Sequence, residues 1–410
     1  MMVPTSRAEC EARDRADPLA RLRERFVLPE GVIYLDGNSL GALPRSAAAR
    51  VARVVSEEWG GGLVGSWDTA GWIGLPQRAG AKIARLVGAS PDEVVCADST
   101  SVNLFKLLSV ALRIAAPRSV ILSERGNFPT DLYIVQGLIE QLGGRHRLEL
   151  IAGGDPGALH AAIRRIGGEL AVVMLTQVDY RTGHLHDMAE VTRRTHDAGA
   201  LAVWDLAHSA GALPLDLSAA HADFAVGCGY KYFNGGPGAP AFLYVARRHQ
   251  DRFVQPLSGW MGHAAPFDFS PGYHPARGVG RYLSGTPAVL AMSALDAALD
   301  VLLEAPMAAI REKSLALGDL FIARSEIEGA GRGLSLFTPR EHARRGSHVS
   351  FAHPDADAVM QSLIARGVIG DFRPPEILRF GLTPLYTRYT DAWDAAAILG
   401  EVLRNLGNQP

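Results

Sequence analysis

The chain has 410 residues, with 41 Lys and Arg against 43 Asp and Glu and a formal net charge of −2 at pH 7. A balance this close to neutral excludes the electrostatic footprint of a nucleic-acid binder or of a protein held on an anionic membrane. Three cysteines, Cys10, Cys96 and Cys228, form neither a disulfide framework nor a metal-ligand spacing, which predicts a cytoplasmic protein with no metal site.

Met1 to Phe26 is rich in charge and has no apolar core segment, so it reads as a helical lead-in and not as a signal peptide. No apolar run reaches the roughly 20 residues that a membrane span needs. IYLDGNSLGALP (33–44) predicts a short strand followed by turns, and Ser46 to Trp59 a helix with Val51, Val54, Val55 and Trp59 on one face. The glycine-rich loop after it carries Trp67 and Trp72, which suit surface packing, an aromatic substrate or a subunit contact.

Gln77 to Val87 predicts a helix and Val94 to Asp98 a strand, followed by Ser99-Thr100-Ser101 and a helical run from Val102. Three hydroxyls between a strand and a helix are either an ordinary N-cap or a seat for phosphate. A strand at 120–123 leads into Phe128-Pro129-Thr130-Asp131. Phe128 is either a core residue or an aromatic placed to stack on a flat ring, and Asp131 is a candidate N-cap. Leu170 to Val178, which includes Thr176, is near-continuously apolar, as parallel strands are. A helix follows from Met188, with Gly199 as its stop.

Two apolar runs then end in polar residues: LAVW before Asp205, and DFAVGCGY before Lys231. If the runs lie close in one parallel sheet, a carboxylate and a lysine emerge at the rim where ligands bind in open α/β sheets. Pyridoxal phosphate needs that pair. The carboxylate keeps the pyridine nitrogen protonated, and the lysine forms the Schiff base. The plainer alternatives are a solvated lysine and a strand-end cap. Against them, NGGPGAP follows Lys231 and lets backbone pass close to a ligand.

Residues 247–285 are irregular and aromatic-rich, which marks a functional loop and not a linker. Long helices from Val289 and through the 310s and 320s lead to mixed strands and helices, ending in a helix from Thr390. The predicted fold class is α/β. A large domain (61–290) with a mostly parallel, doubly wound sheet is joined by a smaller α+β C-terminal domain (291–410), against which residues 1–60 pack.

Taken in order, YLDGNSLGALP, FPTD, DLAHSAG, GCGYKY, GW and RYLSGTP resemble the kynureninase family, over nearly the whole chain from Tyr34 to Tyr386. Each motif alone is weak; six in register are specific. The resemblance implies fold type I of the pyridoxal-phosphate enzymes, the aspartate-aminotransferase superfamily. It also implies hydrolysis of L-kynurenine, or its 3-hydroxy form, to anthranilate (3-hydroxyanthranilate) and L-alanine in tryptophan catabolism. By the same resemblance Lys231 is the Schiff-base lysine, Asp205 the partner of the pyridine nitrogen, and Tyr230 and Trp260 hydrogen-bond donors to the phosphate; Tyr230, next to Lys231 in sequence, is also a candidate proton donor. Cofactor contacts are implied for Thr100, Ser101, Phe128, Asp131, Thr176, His208, Tyr230, Trp260 and Thr286. Arg379, in Leu-Arg-Phe-Gly, falls where the family holds the substrate α-carboxylate, a task suited to a bidentate fork. Trp67 and Asn38 are the further substrate contacts. A homodimer with active sites at the subunit interface follows from contacts supplied by a neighbouring subunit.

The sequence departs from the family pattern at Thr286, where some members carry asparagine. Thr100-Ser101 replaces Leu-Thr and keeps the second hydroxyl. Among alternatives, a cysteine desulfurase or selenocysteine lyase needs a nucleophilic cysteine in the C-terminal part, and none follows Cys228. An aminotransferase would use Lys231 and Asp205 identically and is separated only by the resemblance. A cofactor-binding regulator would need a DNA-binding segment. An inactive homologue would be expected to lose Lys231, Asp205 or Arg379.

Overall fold

The computed structural model describes residues 3–406. Its centre is a seven-stranded sheet, ordered Val94–Cys96, Phe242–Val245, Phe224–Gly227, Leu201–Asp205, Leu170–Thr176, Val120–Glu124 and Arg147–Ile151. Phe242–Val245 runs against its two neighbours, and the remaining pairs are parallel. Parallel neighbours need crossover connections, and helices such as Pro129–Gln141 and Met188–Asp197 supply them.

Alternation along each strand sends side chains to both faces. Val120 and Leu122 join one core, with the helices Leu75–Val87, Pro156–Ile166 and Val289–Leu303. Ile121 joins the other, with Thr100–Ile114 and Pro129–Gln141. Leu170–Thr176 is buried from end to end. Burial of each large aliphatic side chain there is worth roughly 1.5–3 kcal/mol. Capping fixes where the helices begin: Ser99 accepts from the Val102 amide at 3.3 Å, and Asp187 from the Glu190 amide at 3.0 Å. Gly199, at a φ of 74°, lies just past the end of Met188–Asp197, as the sequence predicts.

The C-terminal part is a four-stranded antiparallel sheet, ordered Ser335–Leu336, His348–Ala352, Ile377–Gly381 and Asp371–Arg373. The helices Met307–Glu328, Ala356–Ala365 and Tyr389–Leu406 share a core with it. The N-terminal helix Arg7–Ala16 adds Cys10 to that core, and Asp14 accepts from the Tyr389 amide at 2.6 Å. Ile33–Tyr34 pairs with Val368–Ile369.

The predicted helix Ser46–Trp59 is an α-helix only over Arg45–Arg53 and continues as a π-helix over Val54–Trp59. The wider turn breaks the expected face: Val54 is buried, whereas Val55 and Trp59 are exposed. Among the described residues, no helix is long and apolar enough to cross a membrane, and no group of three or more His, Cys, Asp or Glu is arranged to hold a metal ion.

Segment 34–44 straps the C-terminal part to the large sheet. The Gly41 amide donates to the Tyr230 carbonyl at 2.8 Å. A Cβ on Gly41 would collide with the Lys231 carbonyl and lie 2.7 Å from Asn234 Cα. Gly41→Ala is therefore expected to destabilise the protein by about 1–3 kcal/mol, read as a lower Tm. An unchanged Tm would contradict this packing.

Candidate active site

The winding of the chain reverses between Val120–Glu124 and Leu170–Thr176, which lie side by side in the sheet. Ligands in such sheets bind outside the carboxyl ends of the strands near the reversal. A cavity of about 410 Å³ occupies that place, lined by Asp98 to Ser101, Phe128, Asp131, Thr176, Asp205, His208, Tyr230 and Lys231 among others.

Asp205 ends its strand, is buried, and accepts from the Ala207 amide at 2.8 Å. Asp131 is not an N-cap: Phe128 holds that position, and Asp131 is the third residue of Pro129–Gln141, in its first turn, buried beside Asp205 and 3.5 Å from the Thr176 hydroxyl. Burial pushes both carboxyls up, and the Asp205 charge pushes Asp131 further. Asp131 is thus the member that keeps a proton, which leaves Asp205 to carry the negative charge. Thr176 is fixed by Asn127, whose Oδ1 accepts from both its hydroxyl and its amide.

Lys231 follows the neighbouring strand, and its Nζ lies 3.0 Å from His208 Nε2. Burial, reinforced by the Lys231 charge, holds His208 well below its ordinary range, so the ring is neutral near pH 7. Burial raises the Tyr230 phenol, which stays protonated; its ring centroid is 5.7 Å from Lys231 Nζ. Phe128 packs edge-on against Tyr180, with centroids 5.3 Å apart. At the far end, Thr100 and Ser101 open a fifteen-residue helix whose first amides have no partner within the helix.

This donor set fits pyridoxal phosphate. A buried carboxylate, a lysine, an aromatic wall and a hydroxyl-bearing helix start converge on one cavity of suitable size.

Residues 310–399 match the kynureninase C-terminal domain family. The chain is 57% identical over 402 residues to a kynureninase of Burkholderia mallei (strain SAVP1), covering 97% of this chain and 95% of the relative. It is 54% identical over 403 residues to the kynureninase of Pseudomonas fluorescens, covering 97% and 96%. The chain belongs to the kynureninase family. Solved structures place this kynureninase-family chain in fold type I. A cysteine desulfurase from Escherichia coli superimposes with a TM-score of 0.80 at 20% identity, covering 95% of this chain and 98% of that one. The cystine C–S lyase C-DES, bound to its product cysteine persulfide, gives 0.77 at 19% identity, covering 91% and 98%.

Five of the residues implied by the kynureninase resemblance do not line this cavity. Trp67 and Trp260 pack on each other with centroids 5.8 Å apart, and Thr286 lines an adjoining cavity of about 200 Å³. Asn38 is fully buried beside Gly381. Arg379, also buried, donates to the Tyr180 carbonyl at 2.8 Å, to Ser39 Oγ at 2.7 Å and to Asp371.

The sequence reading missed Asn127, Ser39, Asp371 and His348. Asn127 directly precedes FPTD, and Ser39 sits inside the GNSLG motif, so position offered a signal for both. Asp371 and His348 lie on strands of the C-terminal sheet, and nothing local marks them. His348 is fully buried, 5.5 Å from the His208 ring, with neither ring nitrogen partnered.

Asp36 lies in the same cluster. Burial pushes its carboxyl up to about 6, and nearby Asp371 adds to the rise. The folded chain holds this proton to near pH 6 and the unfolded chain only to near pH 4. The stability it contributes is therefore full below pH 4 and lost as pH rises through 6. Asp36→Asn is expected to raise stability relative to the parent at pH 8, by at most about 3 kcal/mol, and to have little effect at pH 4. Melting curves at the two pH values check this, and an equal effect at both would refute it.

Proposed function

We propose that this chain hydrolyses L-kynurenine to anthranilate and L-alanine with pyridoxal 5′-phosphate held on Lys231. The observation that carries the proposal is the placement of Asp205 and Lys231 at the ends of adjacent strands in one cavity, in a chain whose kynureninase relatives are 54–57% identical. Bound pyridoxal phosphate supplies an electron sink for the substrate α-carbon. Thr100 and Ser101, with the free amides of their helix, hold the phosphate, and Phe128 covers the ring. Asp205 keeps its negative charge for the ring nitrogen because Asp131 takes the proton.

Lys231, beside a neutral His208, takes the α-proton and returns it. Water adds to the γ-carbonyl and the Cβ–Cγ bond breaks, so the added oxygen leaves in the anthranilate carboxylate. Tyr230, held protonated by burial, gives a proton to the β-carbon, which departs as alanine.

Trp67, Trp260 and Thr286 lie apart from this chain's own cavity, so they serve the cavity of a second copy in a homodimer. Exposed Val55, Trp59, Leu63 and Val64 support a subunit contact. The protein is assigned to the cytoplasm, as its near-neutral charge and few cysteines favour.

Purified protein with pyridoxal phosphate and L-kynurenine should release anthranilate and alanine in equal amounts without a keto-acid acceptor. The same assay with 3-hydroxykynurenine sets the ring preference. Cofactor bound on Lys231 with no turnover of either substrate would overturn the proposal.

A further inference from the structure

Lys106 is completely buried, and none of the chemistry above uses it. It stands in the second turn of the helix Thr100–Ile114. Its Nζ donates to Asp98 Oδ2 at 2.5 Å and to the Tyr282 carbonyl at 2.6 Å. Asp98 precedes the cap residue Ser99 and has a φ of 45°, in the left-handed region that Asp tolerates better than most residues. It lines the cofactor cavity beside Ser99, Thr100 and Ser101, and it also lines the adjoining cavity that holds Thr286. Its side chain keeps 30% of its surface open, whereas that of Lys106 keeps none. Tyr282 closes the turn Gly278–Tyr282, which leads into the Ser284–Thr286 segment.

A carboxylate beside an anion seat is unfavourable by Coulomb's law, and low dielectric worsens it. The helix start favours an anion, yet Asp98 at its threshold repels one. Lys106 does not line the cavity, so it is not placed as a direct phosphate ligand. Its ammonium is already committed to Asp98 and Tyr282. Taking the Lys106 ammonium fully out of water is costly, and its partner Asp98 is only partly buried, so a gain in stability alone does not explain the pair.

We propose that Lys106 is a positioning residue for the cofactor phosphate. It cancels the Asp98 charge at the Thr100–Ser101 seat and ties that seat to the loop carrying Thr286. The proposal rests on reading that seat as the place of the phosphate.

The test uses the full-length apoprotein, titrated with pyridoxal phosphate, with inorganic phosphate as competitor and with pyridoxal, which lacks the phosphate. Lys106→Met leaves Asp98 uncompensated. It should weaken pyridoxal phosphate and inorganic phosphate by about tenfold or more while leaving pyridoxal within about threefold. Added salt should narrow the deficit. Asp98→Asn removes the repulsion and should bind pyridoxal phosphate at least as tightly as the parent. The double variant should return to within about threefold of the parent.

A purely structural pair predicts a different pattern: both single variants weaken, pyridoxal suffers with the phosphate ligands, and the double variant stays weak. Any of those results, or Lys106→Met binding like the parent, overturns the proposal. If Lys106→Met does not fold, Asp98→Asn and the double variant decide by the same criteria. A parent apoprotein that takes up pyridoxal but gains nothing from its phosphate would instead defeat the reading of the seat.

Discussion

Lys231→Ala is expected to lower turnover by roughly 10⁴-fold or more, because it removes both the covalent anchor and the group that carries the α-proton. The chain has four lysines, Lys82, Lys106, Lys231 and Lys313. Lys82 is paired with Asp296 at 2.8 Å, Lys106 with Asp98, and Lys313 with Asp17 at 2.6 Å. Lys231 is the one that lines the cavity, with a neutral histidine as its neighbour. Borohydride reduction of the parent followed by peptide mapping should place the cofactor mass on residue 231. Lys231→Ala should take no label, and its melting temperature should stay near that of the parent apoprotein, since Lys231 makes no carboxylate pair whose partner would be stranded. Label on another lysine, or an active Lys231→Ala, would remove the basis of the proposed chemistry.

The cofactor end of this site was legible because each residue sits at a local junction. Asp205 and Lys231 each follow an apolar run, and Thr100 and Ser101 stand between a strand and a helix. Local pattern sets such positions, and the rim of a parallel sheet collects them. Pattern misled at Asp131, where a polar residue near a helix start looked like a cap but is turned into the cavity beside Asp205. The edge strand Arg147–Ile151 and the helix Pro156–Ile166 also went unread. Arg-Leu-Glu-Leu-Ile mixes charged and apolar residues because an edge strand is only partly covered. The pairing of buried Arg379 with Asp371 was beyond reach for another reason. The two residues oppose each other across antiparallel strands, and that register exists only once the sheet forms. Lys106 would pass as an ordinary helical lysine until the fold buries it.

Arg379→Lys carries the second large effect. The Arg379 guanidinium is held by the Tyr180 carbonyl, Ser39 and Asp371, while its Nε is buried without a partner. Arg373 shares Asp371, at 2.7 Å, and its Nε is also unpartnered. Arg379 is buried and Arg373 partly so, with Asp371 between them and Asp36 close by, so the buried, unpartnered Nε of Arg379, and not a surplus of positive charge, is what would receive a further carboxylate. If Arg379 holds the substrate α-carboxylate, as the kynureninase resemblance implies, lysine keeps the charge but loses the planar fork and with it that hold. The expected cost is about 2 kcal/mol, roughly 30-fold in kcat/KM, carried mainly by KM because the carboxylate is held alike in the ground and transition states. Cofactor absorbance should be unchanged. A substrate analogue lacking the α-carboxylate should lose nothing further in the variant, since it never used the fork. If Arg379→Lys instead lowers kcat at constant KM, or penalises the analogue equally, Arg379 is acting on the chemical step or on the fold, and the carboxylate belongs elsewhere.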